Sequence, residues 1–79
     1  MKSLDLHGYT TDEAIDAIDS FLMEIQRSAV KRAKIVTGKG SGKIQKVTID
    51  YLKRAGYQWQ YEKLSNGKPN EGVLILFCD

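Results

Sequence analysis

A chain of 79 residues, 42% hydrophobic and 28% charged, with a net charge of +2, has room for one domain and one modest core. Its single cysteine excludes a disulfide scaffold, and no apolar run approaches the ~20 residues that span a bilayer. Lys2-Ser3-Leu4-Asp5 places a carboxylate where a secretory leader carries its apolar segment, so a reducing, cytoplasmic setting is expected.

The residues from Ser3 to His7 alternate, Leu4 and Leu6 against Asp5 and His7, which predicts a short strand with one apolar face ended by Gly8. Thr10-Thr11-Asp12-Glu13 fits a capping box, and Ala14, Ile15, Ile18, Phe21, Leu22 and Ile25 form a stripe at helical spacing that runs to about Arg27 or Ala29. Phe21 and Met23 read as packing. Lys34-Ile35-Val36-Thr37 predicts a second strand, followed by a glycine turn and a second helix from about Gly42 to Arg54. Its inner face is Ile44, Val47, Thr48, Tyr51 and Leu52, and Gly56 suits its left-handed end. Tyr57 to Glu62 is strand-like and aromatic, Ser65 to Gly72 a polar turn region, and Val73 to Phe77 a well-covered strand. Cys78 reads as a small core or edge residue. The predicted fold class is α/β, a two-layer β-α-β-α-β-β sandwich. A four-stranded mixed sheet carries both helices on one face, with a parallel first pair and a final antiparallel hairpin.

Charge is unevenly distributed. Residues 27 to 54 hold nine Lys and Arg against Asp50 alone, about +8, and the remainder carries about −6. A phosphate-binding face needs such a split; a lysine-rich solvated helix would also produce it. Within the basic third lies Thr37-Gly38-Lys39-Gly40-Ser41-Gly42-Lys43. A P-loop would need glycine at Thr37 and Ser or Thr at Ile44, and a dinucleotide fingerprint needs G-x-G-x-x-G, so neither nucleotide signature fits. What remains is a general phosphate cradle: glycines that let an anion approach the backbone, a helix N-terminus, and the charges of Lys39 and Lys43. A tight turn without a ligand is the plainer reading.

Asp5 and His7, two apart on a strand, share the face opposite Leu4 and Leu6, about 7 Å apart along the chain. A carboxylate beside an imidazole can fix its tautomer and leave the other nitrogen free to move a proton. A surface pair, or an Asp that hydrogen-bonds the nearby turn, is the alternative. As metal ligands the two are too few, although Mg²⁺ held by Asp5 and substrate phosphates stays open. Tyr9, Tyr57, Trp59 and Tyr61 are available to stack unpaired bases, with Trp59 equally suited to the core.

Leu4-Asp5-Leu6-His7-Gly8, the Glu13-Ala14 pair, Thr37 to Gly42, and a glycine before the last strand (Gly72-Val73) resemble, in order and spacing, the Smr (small MutS-related) domain family. The resemblance spans essentially the whole chain. It implies a fold similar to the C-terminal domain of translation initiation factor three, nucleic-acid binding, and in several members endonuclease activity on DNA or RNA. Carried over, Asp5 and His7 are the candidate catalytic residues, and the Gly38, Lys39 and Gly40 motif is the candidate nucleic-acid contact. Thr37 stands where many bacterial members place His, leaving His7 as the only imidazole. The implied partners are DNA or RNA, with a larger parent protein or a ribosome-associated partner also open. A nuclease, a recognition module without chemistry, and a protein-interaction domain remain three distinct functional readings.

Overall fold

A computed structural model describes residues 1–78. The elements are β1 (Lys2–Asp5), α1 (Thr11–Ser28), β2 (Arg32–Val36), α2 (Lys43–Arg54), β3 (Gln58–Lys63) and β4 (Pro69–Phe77). They form one sheet in the order β1-β2-β4-β3, in which β1 and β2 are parallel and β4 is antiparallel to both neighbours. Leu4 pairs with Ile35, Ile35 with Leu74, and Leu74 with Tyr61, so these side chains share one face. That face, with Ala33 and Leu76, packs on Ala14, Ile18, Phe21, Leu22 and Ile25 of α1 and Leu52 of α2. Both helices therefore cover one side. Leu74 and Leu76 are fully buried, each stabilising the fold by about 1.5–3 kcal/mol relative to exposure.

The α1 N-terminus is closed by its own side chains. The Glu13 N–H donates to Thr10 Oγ1 at 3.2 Å and the Thr10 N–H donates to Glu13 Oε1 at 2.9 Å. At the far end of α2, the Gly56 N–H donates to the Lys53 carbonyl and the Tyr57 N–H to the Leu52 carbonyl, a Schellman closure that needs the left-handed φ of 81° at Gly56. Tyr51 donates its hydroxyl to Asp19 Oδ1 at 2.6 Å and ties the two helices together. This bond, which only the protonated phenol can make, raises the Tyr51 pKa, with burial and the Asp19 charge adding to the shift.

Three local expectations are corrected. The first strand ends at Asp5, not His7, because a side-chain bond turns the backbone there. The polar segment expected to be a turn through Gly72 is already strand from Pro69. Between Tyr61 opposite Leu74 and Glu62 opposite Asn70, one step along β3 spans four along β4, so Glu71 to Val73 have no partner on β3, an irregularity of the bulge kind, while Val73 keeps its pairing with Val36 on the other side. Ile15 and Met23, assigned to the packed face of α1, are 38% and 51% exposed. The helical stripe is narrower than apolar identity alone suggests.

Candidate nucleic-acid interface

Because β1 and β2 are parallel neighbours, both chains leave the sheet at the same edge. Asp5 pairs with Val36, and the Leu6 N–H donates to the Val36 carbonyl at 2.8 Å. The His7-Gly8 turn and the Thr37-Gly38 turn thus start one strand spacing apart, about 4.8 Å. The two motifs singled out in the sequence meet, at the carboxyl end of a parallel pair where open α/β sheets place ligands.

The first turn explains most of its own motif. Leu6 is fully buried. The Asp5 carboxylate accepts the His7 main-chain N–H at 2.9 Å, an Asx turn, and the Tyr9 N–H donates to the Leu6 carbonyl at 3.1 Å. Gly8 supplies the φ of 80° that its place in this turn requires. Packing and turn geometry therefore account for Leu4, Asp5, Leu6 and Gly8. They do not account for the His7 ring, which is exposed. The carboxylate grips the backbone of His7, and among the described residues no hydrogen bond joins it to the imidazole. Of the three arrangements open for this pair, the structure shows the carboxylate holding the turn.

The second turn is anchored from three sides. The Thr37 and Gly38 N–H groups both donate to the Gly72 carbonyl, at 2.9 and 3.1 Å. The Thr37 side chain is buried, and its hydroxyl lies 3.3 Å from the Gly38 carbonyl and 3.4 Å from that of Gly72. Thr37 consequently positions the turn and turns no hydroxyl outward. Gln45 reaches back from α2 to the Glu71 carbonyl. Gly72 makes the approach possible: a Cβ there would meet Lys39 Cγ at 3.3 Å and the Gly38 backbone at 3.4 Å. Gln45 is the supporting residue that motif reading missed; Gly72, noted in the sequence only as the glycine before the last strand, acquires its role here, a glycine inside a strand being a signal of close backbone approach.

What the turn presents outward is Lys39, Gly40, Ser41, Gly42 and Lys43, all exposed. They flank a small cleft of about 50 Å³ that runs from Thr37 to Gln45. Gly42 is the N-cap of α2 with φ 83°, and no side chain caps the helix; the first helical bond is from Lys46 N–H to the Gly42 carbonyl. The N–H groups of the first turn are thus left to solvent or a ligand, at the positive end of the dipole. A much larger concavity, about 730 Å³, lies at the opposite edge around Met1, Lys2 and Val30 to Arg32. It is an open dish, and Lys2 on its rim is already paired with Glu24.

The basic third does not form one face. Lys39, Lys43 and Lys46 gather at the glycine turn, whereas Arg27 near the end of α1 and Lys31 and Arg32 at the start of β2 lie at the other end of the sheet, because the turn follows the far end of β2. Lys34 sits on the helix-free side, paired with Glu62 at 3.0 Å, and Arg32 stacks over the Phe77 ring at 5.3 Å. The aromatic set is reduced as well. Tyr57, Trp59 and Tyr61 pack against the core, and of the four only Tyr9, beside His7, is exposed. Among the described residues no cluster of three or more His, Cys, Asp or Glu side chains is placed to hold a metal, and no helix is long and apolar enough to cross a membrane.

The arrangement is that of a small two-layer α/β domain with its two glycine-bearing turns at one sheet edge. The family model described as Smr domain matches residues 4–78, and the chain belongs to that family. It is 41% identical over 69 residues to the endonuclease MutS2 of Staphylococcus saprophyticus, covering 87% of this chain and 8% of the relative. It is 32% identical over 75 residues to the endonuclease MutS2 of Clostridium botulinum, covering 95% of this chain and 10% of the relative. The chain thus spans a tenth or less of the length of these relatives. The crystal structure of the Smr domain of Thermus thermophilus MutS2 superposes with a TM-score of 0.82 at 25% identity, over 98% of this chain and 96% of that one. YdaL, a stand-alone small MutS-related protein from Escherichia coli, shares the fold with a TM-score of 0.66 at 20% identity, over 95% of this chain and 62% of that one.

Proposed function

We propose that this domain binds the sugar–phosphate backbone of nucleic acid in the glycine turn and cleaves it as an endonuclease, with His7 moving the proton. The observation that carries the reading is the uncapped, cation-flanked start of α2, one strand away from an exposed imidazole that packing does not explain. A phosphate oxygen would accept from the first-turn N–H groups and from Lys39 and Lys43. In hydrolysis, a water oxygen bonds to phosphorus as a P–O ester bond breaks. An imidazole at this edge can take the water proton or deliver one to the leaving oxygen. That relatives of this chain carry the name endonuclease MutS2 supports the chemical half of the proposal. One observation favours the alternative, a recognition module without chemistry: Asp5 holds the backbone of His7, and among the described residues no hydrogen bond orients the ring.

The test is cleavage of supercoiled plasmid and of structured RNA, with binding measured in parallel. His7→Ala should lower the cutting rate by about 10²-fold, the low end for loss of a general acid or base, with affinity nearly unchanged. Asp5→Asn keeps an oxygen to accept the His7 N–H and should cut better than Asp5→Ala. Undiminished cutting by His7→Ala removes His7 from the mechanism. Tight binding with no cutting by the wild-type domain leaves the recognition reading. Absence of binding to either polymer defeats both.

A further inference from the structure

The outer face of α2 carries a pattern that the glycine turn does not use up. At 100° per residue, Lys43, Lys46, Asp50, Lys53 and Arg54 fall within about 100° of arc, on the side opposite the buried Thr48 and Leu52. All five are exposed, and among the described residues none of the four cations has an ion-pair partner; the two pairs present are Lys2–Glu24 and Lys34–Glu62. The stripe starts at the glycine turn and ends at Arg54, eleven residues on, about 16 Å along the axis. The other helix is opposite in sign. Exposed residues of α1 include Asp12, Glu13, Asp16, Asp19 and Glu24.

Helix-dipole compensation accounts for only half of the stripe. Lys53 and Arg54 lie in the last turn, where cations are favoured. Lys43 and Lys46 lie at the opposite end, where the exposed first-turn N–H groups already make the helix positive and a cation is disfavoured. A row of unpaired cations that runs against the dipole at one end is poorly placed for stability and well placed for an external anion.

We infer that α2 is a second, linear contact element for nucleic acid, lying along the phosphate backbone of a duplex with Asp50 as a single weak point in its middle. The inference rests on the glycine turn being the backbone site proposed above and extends that site by the length of the helix. The stripe spans about five base pairs at 3.4 Å per pair. A duplex fits better than a single strand because single-strand binders pair charge with aromatic platforms. Here Trp59, Tyr57 and Tyr61 pack against the core, and Tyr51 is half-buried and bonded to Asp19. The face offers charge to phosphates and nothing to bases.

The experiment compares wild type, the triple variant Lys46→Ala/Lys53→Ala/Arg54→Ala, Asp50→Lys and Lys39→Ala. Affinity is measured over a salt series for a DNA duplex of about 20 pairs, the matching RNA duplex and one single strand; phosphatidylserine vesicles are a fourth probe, and thermal melting reports folding. Each lost phosphate contact lowers the salt slope by about 0.9 on B-DNA, so the triple variant should lose about 2.7. Asp50→Lys should bind duplex more tightly and gain about 0.9. A duplex with loss on DNA alone, or on RNA alone, identifies which duplex α2 fits. An unchanged slope in the triple variant, while Lys39→Ala still weakens binding, overturns the inference and leaves the glycine turn standing. Losses confined to the single strand or to vesicles overturn it too. No duplex binding by wild type defeats the underlying proposal instead. Should the triple variant unfold, Asp50→Lys decides alone, since a failure to gain affinity contradicts the stripe.

Discussion

The two helices of this domain begin in opposite ways. The N-terminus of α1 is sealed by Thr10 and Glu13, with Asp12 and Glu13 supplying negative charge to the dipole. The N-terminus of α2 has a glycine cap with left-handed backbone, no acid in its first turn and Lys43 as its first residue. One helix satisfies its own first-turn donors; the other leaves them open beside cations. Capping of the kind seen at α1 typically contributes about 1 kcal/mol. Its absence leaves the α2 start without that stabilisation.

That difference is broken most sharply by Lys43→Glu. The substitution gives α2 the first-turn acid it lacks, so stability should rise by about 0.3–1 kcal/mol. It also replaces the proposed phosphate contact with a repulsive charge, so on that proposal duplex affinity should fall by roughly tenfold or more. Melting and binding measured on the same preparation would show the two effects with opposite sign. A fall in both would mean that the α2 start is structural and not an anion site.

The mirror experiment is Thr10→Ala. Both bonds of the capping box are broken or weakened, at a cost of about 1 kcal/mol in denaturant unfolding, while binding should be unaffected. An affinity loss comparable to that of Lys43→Glu would place the ligand across both helix ends and dissolve the contrast.

The smallest expected effect lies away from both termini, on the helix-free face. The Lys34 ammonium, bonded to Glu62 at 3.0 Å, holds the Glu62 carboxyl below its usual pKa; partial burial opposes the shift, and the Lys34 charge and Asn70 reinforce it. A depressed folded pKa contributes stability above the unfolded value, near 4.3, that is lost as pH falls through the folded value. Glu62→Gln should therefore melt slightly lower than wild type at neutral pH, with the gap closing in acid. An equal gap at both ends of the pH range would assign the effect to packing against Asn70 instead.

Much of the fold was legible in the residues because it depends on local rules. The alternation around Leu4 and Leu6, the Thr10–Glu13 box, the β-branched Lys34–Thr37 run and Gly56 at the close of α2 each specify an element through near neighbours. The residues that failed did so where distant partners decide. Ile15 and Met23 are apolar, yet Ile15 borders the cleft between α1 and α2 and both remain partly in water. Pro69 to Gly72 look like a turn, yet β3 pairs with Pro69 and Asn70 and draws them into β4. Tyr57 and Tyr61 resemble a stacking platform, yet they face the helix-covered side of the sheet.

The candidate site divides the same way. By itself the sequence determined that two glycine-bearing turns end two strands, and that His7 is the lone imidazole, because both are matters of composition and order. Only the tertiary structure decided that the turns are neighbours, since that depends on β1 and β2 pairing in parallel across an intervening helix. It also decided that Asp5 bonds the chain and not the ring, that Gly72 lets the second turn rest on β4, and that the basic third is split between two ends of the sheet. Sequence proximity averages charge along the chain. The length of β2 places Lys31 and Arg32 at the opposite pole from the glycine turn, and only the segment along α2 keeps its charge in a row.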